Sequence, residues 1–98
     1  MTAFLAIPVF ADPSPFPVPF VPKNGHTRIT FTNLPSGGSI KIYTIDGHLV
    51  SEIAIPAGIG TADWAVTNSK GEKVATGVYL YLIKGDGQEF TGKLVVIR

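Results

Sequence analysis

The side chains with most chemistry in this sequence are two histidines, seven acidic residues, one tryptophan and three tyrosines. A metal centre draws histidine, cysteine and carboxylate ligands together at short, recurring spacings. His26 and His48 lie far apart, neither has a second ligand beside it, and the chain has no cysteine. Both histidines read as turn or surface residues. The carboxylates are Asp12, Asp46, Glu52, Asp63, Glu72, Asp86 and Glu89. Asp46 and Asp86 precede glycine, where aspartate serves the backbone of a turn. Calcium needs six or more oxygens. Asp63 and Asn68 form the best local pair for it, and no loop supplies the remainder. No serine lies in a strand-to-helix nucleophile turn. Gly37-Gly38 and Gly85-Asp86-Gly87 fall in hairpins, not between a strand and a helix, which argues against phosphate binding. Trp64, Tyr79 and Tyr81 have the composition of a sugar platform, but a core tryptophan with cross-strand tyrosines is the stronger reading. The sequence therefore gives no catalytic residue, no metal ligand and no cofactor site, and an enzyme is not expected.

Composition points to a binding role instead. Ninety-eight residues make one domain, large enough for a two-layer core and too small for a deep cleft. Apolar residues make up 45% and charged residues 15%, against about 25% charged in typical soluble domains. A surface so poor in charge suits packing against other protein, either a larger host chain or further copies of itself. The net charge is +1 and the basic residues are scattered, so no nucleic-acid footprint exists. No apolar run approaches the roughly 20 residues of a membrane span. Without cysteine there are no disulfides.

The elements that hold these residues are strands. Residues 1–22 carry six of the eight prolines and read as an extended, polyproline-like arm, because proline excludes both helix and central strand. The first eleven residues end like a signal peptide but lack a basic start and contain Pro8, so they read as a structural apolar segment. Phe4, Leu5, Ile7, Val9, Phe16 and Phe20 are the arm's candidate contact residues. They pack on the chain's own surface, or dock as a donated strand on a neighbour's sheet edge.

From residue 23 the chain reads as a sandwich. Residues 27–33 alternate, with Ile29 and Phe31 inward. Strands follow over 39–45 (Ile40, Ile42 inward), 48–55 (Leu49, Ile53, Ile55) and 60–66 (around Trp64). Then come a short 72–75 and two long strands, 77–84 and 88–98. Asp46-Gly47 is a strong hairpin signal. The predicted core is Ile29, Phe31, Ile40, Ile42, Leu49, Trp64, Val78, Leu80, Leu82, Leu94 and Val96. The last two strands are apolar on both faces, so each is central or covered on its second face, with the arm as the natural cover. The fold class expected is all-β: an immunoglobulin-like antiparallel β-sandwich of six to seven strands, residues 23–98, with a proline-rich N-terminal arm.

The order of motifs carries a resemblance. Pro19-Phe20-x-Pro22 precedes Ile29-Thr30-Phe31-x-Asn33-Leu34-Pro35. Ile40-x-Ile42-Tyr43-x-x-x-Gly47-x-x-Val50 comes next. Trp64 follows, then Asn68-x-x-Gly71-x-x-Val74-Ala75-x-Gly77-Val78-Tyr79-x-Tyr81 and Gly92-Lys93-Leu94-x-Val96. This pattern resembles the C-terminal sorting domain of type IX secretion substrates and the related immunoglobulin-like domain of flagellar hook-capping proteins. Two positions depart from it. Val18 stands where the family has asparagine in Pro-Asn-Pro-Phe, and Ala65-Val66 follow Trp64 where Asp-Gly is usual. The resemblance implies a non-catalytic module, extracellular or at the cell surface of a bacterium or archaeon, that anchors or assembles surface protein. Two narrower forms are a filament subunit polymerised by its arm and a sorting signal on a longer protein. A carbohydrate-binding module ranks last.

Overall fold

The computed structural model describes residues 12–98. It contains seven strands: β1 (Ser14–Phe16), β2 (Ile29–Thr32), β3 (Ser39–Thr44), β4 (Leu49–Ala54), β5 (Ala62–Trp64), β6 (Gly77–Gly85) and β7 (Gln88–Val96). All pair antiparallel, into a three-stranded sheet ordered β1-β2-β5 and a four-stranded sheet ordered β4-β3-β6-β7. The two sheets form the all-β sandwich that the sequence predicts.

Local chemistry sets the hairpins. β3 and β4 join through Ile45-Asp46-Gly47, closed by Thr44 N to His48 O at 2.8 Å and Gly47 N to Thr44 O at 3.0 Å. Gly47 takes φ 92°, which a side chain resists. β6 and β7 join through Asp86-Gly87, both at positive φ (53° and 73°) as a type I′ turn requires. Gly38 and Gly85 serve a different need. A Cβ on Gly38 would stand 1.9 Å from the Lys84 carbonyl oxygen, and one on Gly85 would stand 2.2 Å from that of Gly37. The loop entering β3 lies directly on the end of β6.

Ile29, Phe31, Ile40, Ile42, Trp64, Leu94 and Val96 are buried between the sheets. Phe31 of β2 meets Tyr81 of β6 edge-on, with ring centres 5.4 Å apart, and Trp64 meets Tyr79 at 6.3 Å. Four of the residues expected in the core are elsewhere. In β6 the inward residues are Tyr79, Tyr81 and Ile83, while Val78 is 39% exposed and Leu80 and Leu82 are half-buried on the opposite face. A strand apolar on both faces carries no parity in its hydrophobicity. Pairing decides it, since Ile40 opposes Ile83 and Ile42 opposes Tyr81. Leu49 is 56% exposed. The β3–β4 ladder slips between Ile42 and Tyr43, so that Ser51 opposes Ile42 but Leu49 opposes Tyr43. This bulge turns Val50, not Leu49, onto the core.

The proline-rich stretch is part of the fold, so the boundary drawn after Pro22 cuts through the sandwich. Ser14–Phe16 is the outer strand of the smaller sheet, where proline is tolerated. The Phe16–Pro17 and Val18–Pro19 bonds are cis. Phe20 then forms a parallel bridge to Val96, and Pro22–Asn24 make a 3₁₀ turn. A single polyproline rod is not present in this stretch. Residues 72–75 hold only a bridge, Thr67 to Lys73, rather than a strand.

Candidate functional site

Both histidines, Asp46, Asp63, Asn68 and Trp64 are engaged locally. His26 accepts a hydrogen bond from Val21 N on Nδ1 at 2.9 Å, and its ring stands 6.1 Å from that of Phe20. His48 Nε2 lies 3.5 Å from Asp46 at the exposed β3–β4 hairpin. The Thr44 hydroxyl, which donates to Asp46, is the main reason that carboxyl ionises below its ordinary range. Asp63 accepts from Thr30 Oγ1 at 2.7 Å and faces Arg28 at 3.4 Å. Asn68 holds its own loop, accepting from Lys70 N and Glu72 N at 2.9 and 3.0 Å. Trp64 Nε1 donates to Thr67 O at 2.9 Å. Among the described residues no three His, Cys, Asp or Glu gather as a metal site, and Asp63 and Asn68 are each committed to these contacts.

A clasp closes the C-terminal end. Phe20 N donates to Val95 O and Ile97 N donates to Phe20 O, both at 2.8 Å. The Arg98 guanidinium lies 5.8 Å over the Phe20 ring and donates to the carbonyls of Val66 and Val74. Phe20 is therefore held in its own sandwich, 3% exposed, whereas Phe16 remains 53% exposed. Phe4, Leu5, Ile7 and Val9 lie outside the described residues. Burial decides this arrangement, and the Pro-Phe pair gave the only hint of it in the sequence.

What remains available for binding is surface. The outer face of the four-stranded sheet carries Tyr43, Leu80 and Leu82, with Thr91 and Lys93 beside them, around a groove of about 460 Å³. The register sets Leu80 against Tyr43 on one side and Lys93 on the other. This face was missed because the leucines were assigned inward. The double-faced apolarity of residues 78–83 was the signal that could have found it.

The family model of the secretion-system C-terminal sorting domain matches residues 16–97. The chain belongs to that family. The sorting domain resembles two solved structures from Porphyromonas gingivalis, and the likeness establishes the fold. One is PorZ, titled an essential bacterial surface component of the type IX secretion system, at 24% identity and TM-score 0.74, covering 88% of this chain. The other is dimeric latent PorU, at 24% identity and TM-score 0.60, again over 88% of this chain. The sorting domain spans about a tenth of each, 11% and 9%. No curated protein sequence matches it. Sorting-signal domains are not catalytic, and the family implies a secreted or cell-surface bacterial protein.

Proposed function

We propose that this sorting domain is the address tail of a larger bacterial protein, recognised as a folded β-sandwich by protein components of a type IX export system. The observation that carries this reading is the family match over residues 16–97, which spans all the strands from the end of β1 to β7. The committed polar side chains and the apolar groove around Tyr43, Leu80 and Leu82 agree with it: the module offers backbone edges and apolar surface, the means by which β-domains engage protein. Polymerisation through a donated N-terminal arm has less support, since residues 14–22 pack within their own sandwich. Surface assembly and anchoring in the wider sense follow from export.

The test is a fusion. Residues 1–98 are placed after a folded reporter with its own inner-membrane export signal, in a bacterium that has a type IX system. The reporter is expected on the cell surface or in the medium, and in the periplasm when the tail is absent. Periplasmic retention of a reporter with an intact, folded tail overturns the reading.

A further inference from the structure

Among the described residues the outer strands of the two sheets are not equally exposed to pairing. β1 and β5 are three residues long, and β1 carries Pro15 at its centre. β4 is met at its edge by the 68–71 turn, whose Ser69 N donates to Val50 O at 3.0 Å. β7 is nine residues long and ends the four-stranded sheet. In an antiparallel strand alternate residues turn both backbone groups the same way. Val95 O and Ile97 N point away from β6, because both bond Phe20. Glu89, Thr91 and Lys93 share that direction, and among the described residues their outward N–H and C=O groups have no backbone partner.

The side chains on this open stretch are complementary to themselves. Glu89 and Lys93 stand symmetrically about Thr91 in the sequence, and all three are exposed. They lie on the outer face of the sheet, opposing Lys84, Leu82 and Leu80 of β6. A charge on an edge ordinarily discourages pairing. Here an antiparallel copy of the same strand, centred on Thr91, sets each Glu89 against a Lys93. Opposite charges and paired threonines stabilise an antiparallel ladder, whereas like charges destabilise it. A parallel copy in register would set like against like.

We infer that β7 pairs with β7 of a second copy about a two-fold axis through Thr91, joining two four-stranded sheets into one of eight. The row Leu82–Thr91 of one copy then continues into Thr91–Leu82 of the other. The apolar grooves around Tyr43, Leu80 and Leu82 come to lie on one continuous face. Glu89, already 4.0 Å from Lys84 Nζ, gains Lys93 of the second copy on its other side. The bridge from Phe20 to Val96 occupies the edge beyond Lys93 and limits the seam. Five paired residues run for roughly 17 Å. So short a seam falls in the weak class of interfaces, below about 1,200 Å², with an expected dissociation constant of roughly 0.1–1 mM.

Association needs no other component, so the purified full chain suffices for the test. Sedimentation equilibrium at low salt should show a monomer–dimer equilibrium. Glu89→Lys and Lys93→Glu each place like charges in both cross-strand pairs, and each alone should weaken association at least about fivefold. An equimolar mixture of the two variants restores opposite charges in both pairs and should associate at least as well as the parent chain. Thr91→Pro removes an N–H that faces away from β6, and should abolish association while β6 amides stay protected. In a mixture of differently labelled parent chains, NMR should show a contact between the Phe90 Hα of one copy and the Gly92 Hα of the other. A strictly monomeric parent chain overturns the inference, as does a mixture no stronger than its separate variants. Protection of the Thr91 amide that does not change with concentration means that the chain's own residues cover the edge, and overturns it equally. Should a variant fail to fold, the contact between labelled parent chains decides alone.

Discussion

The ring of Tyr81 lies on the backbone of Gly92, its cross-strand partner. A Cβ at position 92 would stand 2.3 Å from the Tyr81 hydroxyl oxygen and 2.4 Å from Cζ. Glycine at the edge strand gives the tyrosine a seat, and the tyrosine covers the backbone that glycine exposes. From that seat the ring meets Phe31 of the opposite sheet. Gly92→Ala should lift the ring and cost about 2 kcal/mol, as overpacking does. In a Tyr81→Leu background the same substitution should cost much less, since the two residues act as a unit. Chemical denaturation of the four proteins measures the coupling, and additive effects would refute it.

Val66 sets up a second contrast. It is fully buried yet sits at φ 60°, where a β-branched residue is strained. Its carbonyl accepts from Val74 N at 3.2 Å and from Arg98 at 3.2 Å, and these bonds with its burial hold the conformation. Val66→Ala loses apolar contact and keeps most of the strain. Val66→Gly loses slightly more contact but releases about 1 kcal/mol of strain. Glycine should therefore be no more destabilising than alanine here, the reverse of the usual order. A glycine variant less stable than alanine by 1 kcal/mol or more would show the strain to be absent.

The sequence made the strands legible and left their faces open. Alternation in residues 29–32 and 39–44 named Ile29, Phe31, Ile40 and Ile42 correctly, because each has polar neighbours. Residues 78–83 have no such contrast, so their parity came from pairing with β3. Leu49 lost its place to a one-residue slip that leaves no compositional mark. Phe20 looked like part of an arm because a strand broken by prolines resembles a linker, and its seat depends on Val95, far along the chain. The open β7 edge was not legible, since an edge is a property of sheet order.

Arg98 joins three segments at the C-terminal end, reaching Val66 and Val74 through hydrogen bonds and Phe20 through its ring. Arg98→Met keeps the apolar stem and removes the donors, and should cost about 1–2 kcal/mol. Arg98→Lys should recover little, because one ammonium does not reproduce a planar fork on two carbonyls. The local signature is faster exchange of the Phe20 and Ile97 amides, whose bonds lie under the guanidinium. Full rescue by lysine would indicate that only charge matters at this site.

Alkaline pH offers a readout of the tyrosine core. Burial raises the pKa of both Tyr79 and Tyr81. Arg98 opposes the rise at Tyr79, and Asp12 adds to it at Tyr81. Tyr79 also donates to Ala75 O at 2.6 Å, a bond that needs its proton. A phenol with a raised pKa binds its proton more tightly in the folded chain than in the unfolded one. Its contribution is complete below the ordinary value near 10 and is lost as pH climbs through the folded value. Urea unfolding midpoints should hold steady to about pH 9.5 and fall above pH 10. The comparison is with Tyr79→Phe and Tyr81→Phe. Each variant should show a shallower alkaline fall than the parent chain, and the double variant the shallowest. Parallel curves for all four proteins would mean that neither phenol resists ionisation in the fold.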